Sequence, residues 1–336
     1  MNNNIFATVQ RRRVLQVLAA SGLALSGAGG VLAQDKLPAL TKLLAGFPAG
    51  GAIDVVARRM ADFLRGVVAD NVIVENKPGA GGRIAIDALR NGPGDGSQWL
   101  ITPGSMVVIY PHVYKKLSYD PVKDLLPVAQ IGSVPLALAV GSAVPASVTD
   151  VKGFVAWVKA NPAAGNIGSP AAGNITHFLT FLFERSAGVK FQHVAYRGSA
   201  PAIQDLLGGQ IPAVINPVTD MLPHLAGGKI RVLGVTAKTR SNFVPNVPTF
   251  AEQGYPRVLG SEWIAMFANA GTSPRQVERM ATGVRAALKT TAIREGFAKI
   301  GIEPLDMDGA GLARQINGEL AGWKEVSKVF GFQMED

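Results

Sequence analysis

The chain has 336 residues, is 48% apolar and 17% charged, and contains no cysteine, which excludes a disulfide scaffold and any thiolate chemistry. Lysine and arginine outnumber the acids 33 to 24, a net charge of +9. The basic residues are scattered, with no run beyond Lys115-Lys116 after the N-terminal segment and no aromatic interleaving, so nucleic acid is excluded as a partner.

The opening stretch, MNNNIFATVQRRRVLQVLAASGLALSGAGGVLAQD, places Arg11, Arg12 and Arg13 before an apolar run from Val14 to Leu25 and small residues ending at Val31-Leu32-Ala33. That layout is an export signal, residues 1–33, with cleavage expected after Ala33. Gln16, Ser21, Gly22 and Ser26 break the run, which is also short for a membrane span. Arg11-Arg12 followed by Arg13-Val14-Leu15 resembles a twin-arginine signal, although plain secretory signals also contain adjacent arginines. Removing the segment takes away three arginines and no acid, lowering the net charge to +6. This mild excess suits a small anionic ligand and serves solubility equally well.

Beyond the signal, short apolar runs alternate with helical patterns. Strands are expected at 42–47, 71–75, 99–102, 136–140, 191–196, 213–216, 230–236 and 264–268, with helices at 53–67, 83–90, 151–160, 176–187 and 202–207. The alternation predicts an α/β architecture with mostly parallel sheets and helices on both faces. In the first helix Ile53, Val56, Ala57, Met60, Leu64 and Val67 form one stripe, while Arg58, Arg59 and Asp62 face water. Residues 274–336 read as almost wholly helical. No linker separates two halves, so a two-domain chain must cross between them more than once, near 136–140 and 257–264.

Three turns rich in small residues hand a strand over to a helix: Phe47-Pro48-Ala49-Gly50-Gly51, Thr102-Pro103-Gly104-Ser105, and Gly168-Ser169-Pro170-Ala171-Ala172-Gly173-Asn174-Ile175-Thr176. In an open α/β sheet such turns sit at the carboxyl ends of strands, where ligands bind. Glycine admits close backbone approach, and amides at a helix start carry partial positive charge, so a carboxylate can be held without a lysine. Each turn read alone is equally consistent with a plain tight turn. Asp54, in the first helical turn, either complements the helix dipole or accepts a hydrogen bond from ligand or water. Arg197, in Tyr196-Arg197-Gly198-Ser199, either faces the crevice as a counter-charge or faces solvent.

Other chemistries find little support. In ENKPGAGGRIAIDALR, Ile84 stands where a dinucleotide fingerprint needs its third glycine. The histidines, His112, His177, His193 and His224, have no metal-ligand spacing, and only His177 belongs near a crevice turn. No cofactor or metal is expected on these grounds, and the lack of any G-x-S-x-G weakens a hydrolase reading without excluding a triad.

In order and spacing, FPAGGAIDVVARRM, VIVENKPGAGGRIAIDAL, VYKKLSYDPVKDLLPVAQIGSVPLALAV, AYRGSAPAIQDLLGGQIPAVIN, LPHLAGGKIRVLGVTAKTR, NVPTFAEQGYP and SEWIAMFANAGTSP together resemble Bug-type periplasmic solute-binding proteins of the tripartite tricarboxylate transporter family. The resemblance covers essentially the whole chain after the signal. It implies a two-domain Venus-flytrap (type II periplasmic-binding-protein) fold with a mostly parallel sheet in each domain, 34–135 plus 257–336 forming one and 136–256 the other. It implies a monomeric, periplasmic, non-enzymatic protein that closes on a small carboxylate and delivers it to a membrane permease. Carried over residue by residue, the carboxylate loop is Phe47, Ala49, Gly50, Gly51 and Asp54, with hydroxyls from Thr102 and Ser105. The facing domain contributes Gly168, Ser169, Asn174, Thr176 and His177.

Two departures bear on specificity. Pro103 and Met106 stand where relatives carry a threonine- and serine-rich turn, and Asn216 stands where many carry an aspartate. Asn216 is neutral and both donates and accepts, so the specificity end is expected to be less polar or differently charged. The competing readings are a periplasmic hydrolase using Ser105 or Ser169 with His177, and a ligand sensor for a signalling partner.

Overall fold

The computed structural model describes residues 37–331 and 333–335, so the expected export signal lies outside the described residues. Leu40–Ala45 (β1), Asn71–Asn76 (β2) and Gln98–Pro103 (β3) pair in parallel in the order β2-β1-β3. Ala52–Leu64 (α1) and Arg83–Arg90 (α2) make the crossovers. Leu125–Val140 (β4) is a sixteen-residue strand almost entirely buried, and its near-continuous apolar run fits a strand covered on both faces. Its first part pairs antiparallel with Ser261–Asn269 (β9), which inserts between β3 and β4.

From Leu136 onward β4 pairs instead with Ala213–Pro217 (β7) and Arg231–Val235 (β8). Asn166–Ser169 (β5) lies parallel to β7 and to Gln192–Ala195 (β6), which completes the order β2-β1-β3-β9-β4-β7-β5-β6. The parallel pairs are β1–β2, β1–β3, β5–β6 and β5–β7, among strands that alternate with helices along the chain. The antiparallel pairs all involve β4 or β9, the two strands that lie centrally in the sheet. Ser105–Val108 (α3) and Tyr110–Val113 (α4) follow β3, Val151–Ala160 (α5) precedes β5, and Ile175–Ala187 (α6), Ser199–Leu207 (α7) and Val218–Leu225 (α8) follow β5, β6 and β7.

Helix α1 buries Ile53, Val56, Ala57, Met60 and Leu64 as its periodicity dictates, but ends three residues before the expected limit. Arg65 is extended and Gly66 takes φ +73°, leaving Val67 exposed beyond the helix. The C-terminal stretch contains Pro274–Lys289 (α9), Thr291–Ala298 (α10) and Gly309–Phe330 (α11), but also a strand, Glu303–Asp308 (β10), paired with β4. Its sequence, EPLDMD, alternates only over Leu305-Asp306-Met307-Asp308, too short a stretch to mark a strand, and most of its side chains remain accessible. Among the described residues no helix is long and apolar enough to cross a membrane.

Candidate ligand-binding site

Between β1 and α1 the chain turns at Gly50, whose φ of +87° is a left-handed conformation that glycine alone takes without strain. Asp54 closes the turn on itself. Its Oδ2 accepts from the Gly50 amide and from Arg58 Nε, both at 2.9 Å, and its Oδ1 accepts from Asn76 Nδ2 at 2.9 Å. Burial alone would raise the carboxyl pKa, but the bonds from Arg58, Gly50 and Asn76 outweigh it and hold the group below 3.8. The second hydrogen of Asn76 Nδ2 goes to the Phe47 carbonyl, so one acid and one amide brace the whole loop.

Across from this loop, Asn174 caps α6, accepting from the His177 amide at 3.1 Å and from Thr176 Oγ1 at 2.7 Å. Gly198, at φ +113°, starts α7 without a side-chain cap, and a Cβ there would lie 3.4 Å from Pro48. The β1–α1 turn and the start of α7 therefore meet at close quarters.

Three helix starts converge on one cavity of about 70 Å³: Gly51, Ala52 and Ile53 of α1, Asn174 and Thr176 of α6, and Ser199, Ala200 and Pro201 of α7. The first amides of a helix have no backbone partner within it and carry the positive end of its dipole; of those around this cavity, the Ile175 and His177 amides of α6 already serve Ser105 and Asn174, and Pro201 of α7 has none. No lysine, arginine or histidine lines it. The remaining wall is apolar, with Phe47, Pro103, Met106, Val134, Leu136, Pro217 and Ile264.

One ionisable side chain, Glu262, completes the lining. Its Oε2 accepts from Ser105 Oγ at 2.5 Å and its Oε1 from the Ser105 amide at 3.1 Å, while Ser105 Oγ accepts from the Ile175 amide at 3.2 Å. Burial, reinforced by the nearby Glu319 charge and opposed by the Ser105 bonds, pushes the Glu262 pKa up to about 7.

The family model for the tripartite tricarboxylate transporter family receptor matches residues 56–332. The chain belongs to this family. It is 32% identical to the protein BugT of Bordetella pertussis over 95% of this chain and 99% of that one. A solved structure of R. palustris Rpa4515 with adipate is 31% identical, with a TM-score of 0.83 over 88% of this chain and 98% of the other. MatC from Rhodopseudomonas palustris, solved with bound malate, is 26% identical, with a TM-score of 0.79 over 86% and 98% of the two chains. The fold is that of the periplasmic binding proteins, as in the solved structure of periplasmic binding protein BugD, 27% identical with a TM-score of 0.82 over 87% of this chain and 98% of the other.

Of the residues the receptor family's motifs single out, Phe47, Gly51, Asn174 and Thr176 line the cavity. Ala49 is an exposed residue of the same turn, whereas the Gly50 amide is held by Asp54, whose own oxygens are engaged within the loop. Buried Thr102 directs its hydroxyl to Met106 Sδ at 3.3 Å, and Ser105 is committed to Glu262. Gly168 is a packing glycine, since a Cβ would stand 2.6 Å from Ile211 and 3.0 Å from Tyr196.

Ser169 is fully buried, and its hydroxyl meets His193 Nε2 at 2.6 Å and the Ala171 carbonyl at 3.0 Å. His193 in turn stacks on His177, with ring centroids 3.6 Å apart. The histidines that sequence spacing left separate are thus a pair, and burial pushes His177 down to about 4 and His193 to about 3, so both are neutral at pH 7. Arg197 is exposed and lines a neighbouring cleft of about 180 Å³ with Arg83 and Tyr114. Asn216 is fully buried on β7, and neither of its amide atoms has a hydrogen-bond partner among the described residues.

Sequence reasoning missed Ser199, Ala200 and Glu262. Gly198-Ser199 before an apolar-periodic run is a readable helix start, but Glu262 left only a faint trace, one acid entering an otherwise apolar strand. Asn174→Ala should lower stability by about 1 kcal/mol in urea unfolding, the usual consequence of losing an N-cap acceptor, and should weaken ligand binding because the α6 amides lose their fixed direction.

Proposed function

We propose that the protein captures a small carboxylate between two bodies, residues 34–135 plus 257–336 and residues 136–256, and delivers it to a tripartite tricarboxylate-type permease. It does so as a monomer in the periplasm, after export and cleavage following Ala33. The convergence of three helix starts on one cation-free cavity carries this reading. Malate and adipate in the solved relatives support the same ligand chemistry. Because α1 belongs to one body and α6 and α7 to the other, a bound carboxylate contacts both at once. That differential contact is what drives closure.

The hydrolase reading lacks an exposed, activated nucleophile. Ser169 is sealed in the interior, and Ser105 Oγ is bound by Glu262 with no histidine beside it. A thermal-shift screen of the purified protein against mono-, di- and tricarboxylates, amino acids and aromatic acids tests the proposal. A ligand present at 100 times its Kd stabilises by about 2.7 kcal/mol, so one carboxylate class should raise Tm clearly and be recovered unchanged. Chemical conversion of any compound would favour an enzyme, and no shift with any carboxylate would overturn the capture reading.

A further inference from the structure

We infer that the cavity selects a monocarboxylate with an apolar body over a dicarboxylate of the same length, and that Glu262 is the residue that rejects the second carboxylate. This rests on the carboxylate-capture reading above. The helix starts of α1, α6 and α7, with the Asn174 and Ser199 side chains beside them, account for one anion at one end of the lining. Pro103, Met106, Val134, Leu136, Pro217 and Ile264 present hydrocarbon to the rest of the ligand. A second carboxylate placed among them would lose its hydration without gaining a donor, which is strongly unfavourable for an ion.

In its ionised form, which dominates above about pH 7, Glu262 adds repulsion to that loss. It is the one ionisable side chain in the lining, and its oxygens are already turned to Ser105, so the Ser105 hydroxyl and amide serve the protein's own acid and not a ligand's. Specificity of this kind needs a repulsive element as well as an attractive one, and here the two lie in the same cavity. The nearest arginines, Arg83 and Arg197, are outside this lining, in an adjoining cleft that shares Phe47, Pro48, Pro170 and Gly198 with it. Arg83 is itself committed, with Nε donating to the Ala80 carbonyl at 2.9 Å and its guanidinium 4.2 Å from the Tyr114 ring centroid.

Matched pairs isolate the second charge: hexanoate against adipate, and 4-methylbenzoate against terephthalate, each titrated calorimetrically into the purified protein. The monocarboxylate of at least one pair should bind ten or more times tighter than its partner. Glu262→Gln, with folding checked by its Tm, should cut that preference at least threefold by improving dicarboxylate binding. Equal or tighter binding of adipate and terephthalate would overturn the inference while leaving carboxylate capture intact. An unchanged preference in folded Glu262→Gln would overturn the role of Glu262. Binding of none of the four acids, together with no shift from any carboxylate in the wider screen, would fell the capture reading and this inference with it.

Discussion

Gly51→Leu should weaken carboxylate binding by on the order of 100-fold without unfolding the protein. Gly51 sits at φ −79° and ψ 168°, an extended conformation open to any residue, and a Cβ there would meet only the Pro48 carbonyl at 3.6 Å. The backbone therefore accepts a side chain, but the residue lines the cavity as the cap of α1. A leucine there crowds the space where an anion meets the first amides. Hydrogen bonds to a charged group are worth about 1.5 to 3 kcal/mol each, and losing two at the lower figure is roughly two decades in Kd.

The adjacent glycine makes a poorer probe. At φ +87° Gly50 cannot become valine without about 1–2 kcal/mol of backbone strain, and its amide already serves Asp54. Titration of folded Gly51→Leu with the ligand found by thermal shift decides the matter. Affinity within threefold of the native protein would place the carboxylate away from α1.

Gly104→Ala should destabilise the protein by about 3 kcal/mol, at the upper end of ordinary overpacking, and abolish binding with it. Gly104 has φ −62° and ψ −33°, so no conformational reason requires glycine. The requirement is space. A Cβ would lie 2.1 Å from Trp263 Cε2 and 2.5 Å from Cδ2 and Cζ2 of the same ring. The ring is held on its other side, since Trp263 is buried and its Nε1 donates to both oxygens of Glu319, at 3.1 and 3.0 Å. The Gly104 amide donates to the Trp263 carbonyl at 2.8 Å, so displacing either residue shifts Ser105 and Glu262 as well. Urea unfolding of Gly104→Ala, Trp263→Leu and the double variant checks this. The double variant should be more stable than the sum of the single losses by 1 kcal/mol or more, as expected for residues in direct collision. Strict additivity would show that the ring has room to move.

The turn around Gly104 shows where local reading stops. Thr102-Pro103-Gly104-Ser105 has the composition of a ligand turn, and Pro103 does line the cavity. Yet its glycine answers to a tryptophan 159 positions away in the chain, and its serine to Glu262, 157 positions away. Similarly, the sequence offers Asp54 as a ligand group or a dipole complement, and the resemblance offers His177 as a ligand group. Asp54 proves to brace its own loop through Gly50, Arg58 and Asn76, and His177 stacks on His193.

By itself the sequence determined the helix stripes, the strand-to-helix turns and the order of motifs that marks the family. These depend on residue spacing within one element or one turn, where 3.6-residue periodicity, capping chemistry and glycine's freedom act directly. Only the tertiary structure decided which of those turns share a cavity, that Glu262 stands in its wall, that His193 reaches Ser169, and that the polar segment 303–308 is a strand. Each of these depends on the sheet order, with β9 inserted between β3 and β4 and β5 between β7 and β6. Pairings across such sequence separations follow from how the whole chain buries its apolar surface, and no local spacing encodes them.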